Sequence, residues 1–371
     1  MNEFLKKIKS LPPEKQAELL AKLTKSKNKT AKIGVDFFKN FEYTFKSDMP
    51  FDFNLRQTEI SEPGPDYIQI RAKASSLNFR DVMIASKQYP SSPGVPTNMG
   101  SDYAGIIEKV GDNVKKFKPG DEVISIHIGH TENDGILRDN CHFIKTFNVH
   151  KFCVCLKPKN LSFEEASCIP TVFLTAYIGL IKLGRLRKSE NLLIHTASGG
   201  VGLSALQIAN WKQATIFTTA GTEEKRDHLK SIGIKNVYDS RSLDFAHILK
   251  SKNTELDIVL NTLAGELMFE SIKLLKPFGK FIHIDKKDIA KDTSFGMKLL
   301  SNGIVFQFLD ISLLFLNPDL MTSSLEEIVE LFENGSFKAI FHTVYPIKDL
   351  KKAITAMSRG THIGKLVVTY D

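Results

Sequence analysis

The sequence contains no long uninterrupted run of apolar residues. None approaches the roughly 18 residues that a membrane-spanning helix requires, so no membrane span is expected. The first residues, MNEFLKKIKSLPPEKQ, lack the apolar centre and the small-residue cleavage site of a signal peptide. Together these two absences favour a cytoplasmic protein.

Cysteine is scarce in this chain. The 371 residues include four cysteines, Cys141, Cys153, Cys155 and Cys168. So few do not form a disulfide framework, which indicates a reducing compartment. Cys153 and Cys155 have C-x-C spacing, but neither a second cysteine pair nor a spaced histidine pair completes a zinc site. Buried structural thiols are therefore favoured, and no metal site is expected.

A concentrated basic stripe is also absent. The formal net charge is +8, but Lys and Arg are spread along the whole chain. Surfaces that bind nucleic acid gather basic residues on one face or along one helix. Nucleic-acid binding is therefore not expected, and the positive charge suits an acidic small molecule or an acidic protein instead.

Residues 1–30 form a Lys-rich segment that differs from the rest. Pro12 and Pro13 suit the first turn of a helix, and Ala17 and Leu20 belong to a partial apolar stripe. We interpret the segment as a basic helix or tail on the surface. The alternative is a helix that docks a partner protein.

The remaining chain shows two patterns. Residues 31–160 read as short strands between Gly and Pro turns, and residues 336–371 return to strand-like runs. Residues 161–335 alternate apolar strands with amphipathic helices, after a helical stretch at 161–186 that Ser162 caps. The predicted strands include 66–75, 101–111, 121–129, 191–197, 214–220, 256–263 and 279–284, and the predicted helices 201–212, 223–233 and 266–275. An α/β fold is predicted, with a β-rich part and a parallel sheet covered by helices on both faces.

A glycine-rich loop lies between a predicted strand and a predicted helix. Its sequence is Ala-Ser-Gly-Gly-Val-Gly at 197–202, so the candidate phosphate-binding residues are Ser198, Gly199, Gly200, Val201 and Gly202. Glycines allow a pyrophosphate to approach closely, and the start of a helix supplies free N–H groups. The loop departs from the G-x-G-x-x-G spelling, so the prediction depends on its position between strand and helix.

The end of the second strand in this alternating region indicates the choice of cofactor. An NAD site usually has an acidic residue there, whereas this chain has Thr219 and the residues around it. Lys225, Arg226 and Arg241 follow, which suits a 2′-phosphate and predicts NADPH. The alternative is that Lys225 and Arg226 form a solvated helix face.

Several longer segments resemble the enoyl-reductase domains of polyketide and fatty acid synthases, within the medium-chain dehydrogenase/reductase superfamily. The segments are LNFRDVMIASKQYP (77–90), MGSDYAGIIEKVG (99–111), LSFEEASCIPTVFLTAY (161–177), LLIHTASGGVGLSALQIA (192–209), SRSLDF (240–245) and DIVLNTLAGELMFESIKLLKPFGKFIHI (257–284). The resemblance implies a GroES-like catalytic domain at 31–160 and 336–371, and a Rossmann domain at 161–335 that binds NADPH. It places the active site in the cleft between them.

Zinc-dependent relatives in that superfamily carry a Cys near the first of these segments and a His-Glu pair near the second. This chain reads LNFRD and MGSDY there, so a tetrahedral zinc ion would lack its thiolate and imidazole ligands. The substrate must then be activated by conjugation, as in an α,β-unsaturated thioester.

The resemblance also implies the residues that act on the substrate. Tyr89 matches the proposed proton donor to the α carbon, and Lys286 and Asp310 match two further donors. Asp285 stands where relatives have glycine, and it could tether Lys286. The alternatives are that Tyr89 is a packing aromatic and that Lys286 is a surface lysine.

Further contacts with the cofactor are expected from residues of both domains. These residues are Asn78, Thr175, Asn261 and Leu263. We favour structural roles for Arg80 and Asp81, which follow Asn78 in the LNFRD segment. The polar, His- and Cys-containing stretch at 127–158 departs from relatives and could reshape the substrate entrance.

The resulting hypothesis is an NADPH-dependent enoyl-thioester reductase, monomeric or homodimeric. Its substrate would ride on an acyl carrier protein or within a synthase complex, and the acidity typical of carriers suits a basic surface. The alternatives are a zinc-independent quinone oxidoreductase and a non-catalytic nucleotide-binding protein.

Overall fold

The computed structural model describes residues 40–46, 49–89, 98–127 and 143–370. The predicted basic helix at 1–30 lies outside these residues, as do positions 128–142 of the His- and Cys-containing stretch. No helix in the described part of the chain is both long enough and apolar enough to cross a membrane.

A seven-stranded sheet forms the β-rich part. Its strand order is β14-β15-β3-β4-β5-β7, with β6 paired to β3, and all pairs are antiparallel except β14 with β15. The strands are β3 (Tyr67–Ser76), β4 (Asp102–Val110), β5 (Glu122–Ile126), β6 (Thr146–His150), β7 (Val154–Leu156), β14 (His342–Pro346) and β15 (Lys365–Thr369). A separate two-stranded sheet pairs β1 (Phe41–Phe45) with β2 (Phe53–Gln57). The last strands of the chain thus belong to the same sheet as residues 67–156.

A six-stranded parallel sheet forms the second part, in the order β10-β9-β8-β11-β12-β13. The strands are β8 (Asn191–Ile194), β9 (Thr215–Ala220), β10 (Asn236–Asp239), β11 (Leu256–Asn261), β12 (Leu275–His283) and β13 (Val305–Phe308). The first strand lies in the middle, so the order reverses between β8 and β11. In sheets of this type, ligands bind in the crevice outside the carboxyl ends of the strands at this point.

Helices cover this parallel sheet and connect it to the other. They are α1 (Phe79–Ala85), α2 (Phe163–Ser167), α3 (Pro170–Tyr177), α4 (Gly200–Trp211), α5 (Glu223–Ser231), α6 (Asp244–Ser251), α7 (Glu266–Ile272), α8 (Lys287–Ala290), α9 (Pro318–Glu333) and α10 (Leu350–Ser358). Phe245 of α6, Met268 of α7 and Phe281 of β12 are buried in one apolar cluster. Each such side chain contributes about 1.5–3 kcal/mol when removed from water. The predicted GroES-like and Rossmann α/β architecture is confirmed; the domain bounds at 160 and 336 stay a prediction.

The predicted helical stretch at 161–186 is interrupted. Ser162 caps α2 as predicted, because its hydroxyl accepts a hydrogen bond from the Glu165 N–H at 3.2 Å. The helix then ends before Pro170, which has no N–H to donate and disfavours a helical conformation in the preceding residue. Pro170 instead begins α3, which continues into a π-helical turn at Ile178–Leu183.

The two sheets meet where the glycine-rich loop touches the start of β15. The Gly364 N–H donates to the Ser198 carbonyl at 2.8 Å, and Gly199 and Gly364 form an isolated bridge. Gly364 has φ +68°, and a Cβ there would lie 1.9 Å from the Phe341 carbonyl oxygen. Only glycine fits this position, so the contact depends on its missing side chain.

A fully buried histidine connects the first two parallel strands to α7. The His195 Nδ1 lies 3.0 Å from Thr219 Oγ1, and its Nε2 lies 2.9 Å from Ser271 Oγ. The Ser271 hydroxyl donates to the Leu267 carbonyl, so it accepts from Nε2–H and leaves Nδ1 to accept from Thr219. Burial lowers the pKa of His195 to about 3, which keeps the ring neutral.

Because His195 is buried in its neutral form, we expect the folded protein to lose stability in acid. The unfolded chain takes up a proton on His195 as pH falls below about 6.5, whereas the folded protein does not until about pH 3. His195 therefore lowers the free energy of unfolding by about 1.4 kcal/mol per pH unit across that interval. Urea titrations at pH 7, 6 and 5 should show that the free energy of unfolding falls less steeply with pH in His195→Gln than in the wild type, by about half this amount between pH 7 and 6 and by nearly all of it between pH 6 and 5.

The exposed His247 on α6 provides the matched control, and His247→Gln should retain the wild-type slope. Equal slopes for His195→Gln and the wild type would show that His195 takes up its proton over the same pH range in the folded and the unfolded protein.

Candidate active site

The glycine-rich loop joins β8 to the start of α4. A Cβ on Gly202 would lie 2.4 Å from the Ala197 Cα, and one on Gly200 would lie 2.9 Å from Lys365 Cδ. The loop therefore folds tightly onto itself and onto β15. Ser198 is buried, and Gly199 precedes the helix as its N-cap. The first N–H groups of α4, from Gly200 onwards, have no partners within the helix and can bind an anion.

Basic residues gather at the end of β9. The Arg241 Nε lies 3.0 Å from the position that a Cβ on Gly221 would take. Lys225 donates to the Gly360 carbonyl at 2.7 Å, and burial together with the Arg241 charge lowers its pKa. Arg226 instead pairs with Asp239 at 3.2 Å. Lys225 and Arg241 thus lie near enough for the charge of one to affect the other.

Two other predicted cofactor residues have local structural contacts. The Thr219 hydroxyl, at the end of β9, is buried against His195 and the Thr196 N–H. The Asn261 side chain, at the end of β11, donates to the Leu263 carbonyl at 2.7 Å and accepts from the Leu263 N–H at 3.2 Å. These side chains shape the loops after their strands, so a ligand would meet the backbone there.

Tyr89, Lys286 and Asp310 lie together, although they come from three separate segments. The Lys286 Nζ donates to the Tyr89 hydroxyl oxygen at 2.9 Å and pairs with Asp310 Oδ2 at 2.6 Å. Asp310 caps a 3-10 turn at Ile311–Leu316, where its other oxygen accepts from the Ser312 hydroxyl at 2.8 Å. The carboxylate is therefore fixed, and it fixes the lysine in turn.

Charges around Tyr89 favour its ionised form. The Arg80 guanidinium lies 5.1 Å from the centre of the Tyr89 ring. Burial acts to raise the pKa of Tyr89, but the Arg80 charge and the bond from Lys286 outweigh it and bring the pKa below 10.0. For Lys286, burial is outweighed by Asp310 and Tyr89, which raise its pKa, so the lysine stays charged. For Asp310, the bond from Lys286 outweighs burial and lowers the pKa.

A cleft of about 210 Å³ brings six of the predicted site residues together. They are Asn78, Tyr89, Thr175, Val201, Lys286 and Asp310. Val201 comes from the glycine-rich loop, so the cleft reaches the start of α4. Thr219, Lys225, Arg241, Asn261 and Leu263 are not among the residues that line it.

A buried ion pair lies beside the cleft. Asp102 of β4 and Lys365 of β15 are 3.2 Å apart, with side chains 0% and 3% exposed. Asp102 also accepts bonds from the Thr171 N–H at 3.0 Å and its hydroxyl at 2.5 Å, and from Asn78 Nδ2 at 2.9 Å. Thr171 in turn accepts from the Thr175 hydroxyl at 2.7 Å. The pair thus joins both strands to α3 and to the start of α1.

Two family models match the chain. The one described as "Alcohol dehydrogenase GroES-like domain" matches residues 64–158. The one described as "Zinc-binding dehydrogenase" matches residues 232–368.

Curated relatives include large synthases. The chain is 34% identical to the highly reducing polyketide synthase easB of Emericella nidulans over 315 residues, which are 83% of this chain and 12% of the synthase. It is 35% identical to a phthioceranic/hydroxyphthioceranic acid synthase of Mycobacterium tuberculosis over 309 residues, which are 82% of this chain and 14% of that protein. The chain thus spans 12% and 14% of the length of these two relatives.

Solved structures decide the family. The crystal structure of CurK enoyl reductase matches with a TM-score of 0.76 and 30% identity, over 89% of this chain and 99% of that chain. The chain belongs to the enoyl-reductase family of medium-chain dehydrogenases/reductases. Escherichia coli quinone oxidoreductase complexed with NADPH shares the fold, with a TM-score of 0.76 and 23% identity over 89% of this chain and 99% of that one.

Asp285 is another acidic residue of the cleft. Its Oδ1 accepts from the Lys287 N–H at 3.2 Å, and its Oδ2 is buried without a hydrogen-bond partner among the described residues. Lys286 pairs with Asp310 instead, so the expected tether between Asp285 and Lys286 does not form. Asp285 nevertheless lines the cleft and offers it a further acceptor.

Sequence reasoning missed several residues of the site. Asp102 and Thr171 lie within segments that carried the resemblance, but their polar contacts could not be read from spacing. Lys365 follows Gly364 near the end of the chain and reads as an ordinary exposed lysine. Arg80 lines the cleft beside Tyr89, in addition to donating to the Asn98 carbonyl at 2.7 Å. Asp81, by contrast, is buried and accepts from the Asn78 N–H at 2.7 Å, a contact of structural type.

Metal binding stays untested for part of the chain. Within the described residues, no group of three or more His, Cys, Asp or Glu side chains could hold a metal ion. Cys141 and the histidines of 128–142 lie outside these residues, so the expected zinc-free site remains a prediction.

Proposed function

We propose that this protein reduces the carbon–carbon double bond of an α,β-unsaturated thioester, with NADPH as the reductant. The observation that carries the proposal is the Tyr89 hydroxyl in the cleft, held by Lys286 at 2.9 Å. Membership of the enoyl-reductase family supports the reaction class. The related synthases support a place in polyketide or fatty acid biosynthesis.

The residues present fit a nicotinamide dinucleotide. At Gly200 and Gly202, neighbouring atoms already occupy the space that a Cβ would need, so the loop packs closely only with glycine there, and the first N–H groups of α4 have no partners within the helix. Lys225 and Arg241 would hold a 2′-phosphate, and Asn78, Thr175 and Val201 line the cleft where the reactive ring would lie. When bound, NADPH supplies a hydride to the β carbon of the substrate.

The protein's own residues would manage the proton and the developing charge. Lys286 can only donate, so the Tyr89 oxygen accepts from it and the hydroxyl hydrogen remains available to the cleft. Tyr89 gives this proton to the α carbon of the substrate. Lys286 and Arg80 then stabilise the phenolate, because their positive charges are already in place before the proton moves. Asp310 keeps Lys286 oriented throughout.

A Tyr89→Phe variant should lower kcat for an enoyl thioester by about 100-fold or more, since general acid catalysis contributes factors of this size. The dissociation constant for NADPH should stay unchanged, because Tyr89 serves the substrate. The assay follows NADPH oxidation with crotonyl thioesters of coenzyme A and of a carrier protein.

The matched control is Tyr345→Phe on the outer strand β14, which should retain the wild-type rate. Loss of less than threefold in Tyr89→Phe would remove Tyr89 as the proton donor. Faster turnover of a quinone than of any thioester would favour the quinone oxidoreductase alternative. Binding of NADPH without turnover of either would favour a non-catalytic protein.

Preference for NADPH over NADH should depend on the basic pair after β9. Charge-assisted hydrogen bonds contribute about 1.5–3 kcal/mol, so Lys225→Ala and Arg241→Ala should each weaken NADPH binding about 10- to 100-fold. NADH binding should change little, because it lacks the 2′-phosphate. Fluorescence titration measures both dissociation constants.

Lys230→Ala, on the same helix and paired with Asp227 on the surface, is the control and should bind NADPH as the wild type does. Parallel losses for NADH and NADPH in the Lys225 and Arg241 variants would contradict a 2′-phosphate site.

We also propose that the basic segment 1–30 recruits a carrier protein or a synthase in trans. Deleting residues 1–30 should raise KM for a carrier-bound enoyl thioester much more than for the coenzyme A thioester, because only the carrier presents an extended acidic protein surface. An equal loss on both substrates, or a loss on neither, would count against recruitment by this segment.

A further inference from the structure

The Asn78 side-chain amide lies between the buried, oppositely charged side chains of Lys365 and Asp102. Its Oδ1 accepts from Lys365 Nζ at 2.6 Å, and its Nδ2 donates to Asp102 Oδ2 at 2.9 Å. The two ions are buried, with side chains 3% and 0% exposed. The amide is therefore held at both ends by buried charged groups.

The chemistry of these neighbours fixes which way the amide points. A lysine ammonium has donors and no acceptor, so the atom facing Lys365 must be the amide oxygen. An ionised carboxylate only accepts, so the atom facing Asp102 must be the amide nitrogen. The orientation follows from the ion pair and would reverse if the two charges were exchanged.

This orientation decides what Asn78 can offer a ligand. Asn78 lines the cleft. Its oxygen is engaged by Lys365, while the nitrogen carries two hydrogens and uses one of them on Asp102. What remains for the cleft is an N–H donor. A ligand at this point would have to present an acceptor oxygen, such as a carbonyl or hydroxyl oxygen.

Lys365 also contacts the glycine-rich loop. Its Cδ lies 2.9 Å from the position that a Cβ on Gly200 would take, and its Nζ donates to the Leu77 carbonyl at 2.8 Å. One side chain thus spans from the predicted phosphate site to the residue before Asn78. Bulk at Gly200 would displace Lys365 and, through it, Asn78.

We infer that Lys365, together with Asp102, is a positioning residue that sets the Asn78 amide so that its N–H faces an acceptor oxygen of the bound ligand. The inference rests on the proposed function for its kinetic test alone. The orientation itself belongs to the protein without ligand.

The first experiment requires no variant and no activity. Protein labelled with ¹⁵N-asparagine is examined by NMR, with the Asn78 side-chain signals assigned by their loss in Asn78→Ser. The Asn78 amide hydrogen that bonds to Asp102 should exchange with solvent at least 10-fold more slowly than those of the exposed Asn253. Equal exchange rates at the two residues would overturn the fixed orientation, whatever the enzyme's substrate.

The second experiment is a mutant cycle in kcat/KM for crotonyl-coenzyme A. The variant Lys365→Met/Asp102→Asn removes both charges at once, which avoids leaving one buried ion unpaired. Its kcat/KM should fall about 10-fold or more, and so should that of Asn78→Ala. Combining all three changes should be no worse than Asn78→Ala alone, because Lys365 acts through Asn78.

The control is Lys157→Met/Glu122→Gln, which neutralises another buried lysine, 3.2 Å from its partner and away from the cleft. It should keep the wild-type kcat/KM. Additive losses in the cycle, or wild-type kcat/KM in the Lys365→Met/Asp102→Asn variant, would overturn the inference.

If the wild-type protein turns over no thioester but shows the protected Asn78 amide, the proposed function fails and the orientation stands. If the Lys365→Met/Asp102→Asn variant does not fold, the exchange measurement on the wild-type protein decides alone.

Discussion

The approach of the glycine-rich loop to the start of β15 is the constraint on which the site depends. Its hydrogen bond is made by backbone, from the Gly364 N–H to the Ser198 carbonyl at 2.8 Å, and Gly199 and Gly364 form an isolated bridge. Because neither Gly199 nor Gly364 has a side chain, the loop and β15 lie close together, and Val201 at the start of α4 and Asn78 before α1 line the same cleft. A side chain at Gly364 would collide with the Phe341 carbonyl next to β14 and would displace the start of β15 that the loop contacts.

Two lysine–aspartate pairs lie beside this cleft. They differ in burial and therefore in the role that they can have. Lys286 and Asp310 retain 25% and 18% side-chain exposure, so a ligand can reach them and their charge can respond to it. Lys365 and Asp102 are buried, and the desolvation cost of such a pair is offset only by good geometry and further hydrogen bonds. Those hydrogen bonds include ones with Asn78 and Thr171, so the buried pair orders the side chains around the site.

Much of the fold could be predicted because periodicity and turn chemistry report on local structure. The glycine-rich loop followed from its place between β8 and α4. The meeting of Tyr89 with Lys286, 197 positions apart, came from family resemblance, since spacing gives no such distance. Lys365 was missed because its burial results from a partner 263 positions away. The interruption before Pro170 was missed because apolar periodicity continues through it.

The cleft and the end of β9 carry different charges, so they suit different chemical groups. The charged residues that line the cleft are Arg80, Asp285, Lys286 and Asp310. Two are positive and two negative, so the cleft offers directed donors without a net attraction for anions. Such a field suits an uncharged conjugated carbonyl, whose negative charge grows only during reaction.

At the end of β9 the balance differs. Lys225 and Arg241 repel one another enough to contribute to the lowered pKa of Lys225, and Glu224 opposes that effect less strongly than burial and Arg241 promote it. A dianionic phosphate relieves this repulsion, whereas the hydroxyl of NADH would leave it in place. The same electrostatic reasoning therefore supports the proposed 2′-phosphate site after β9 and the proposed uncharged substrate in the cleft.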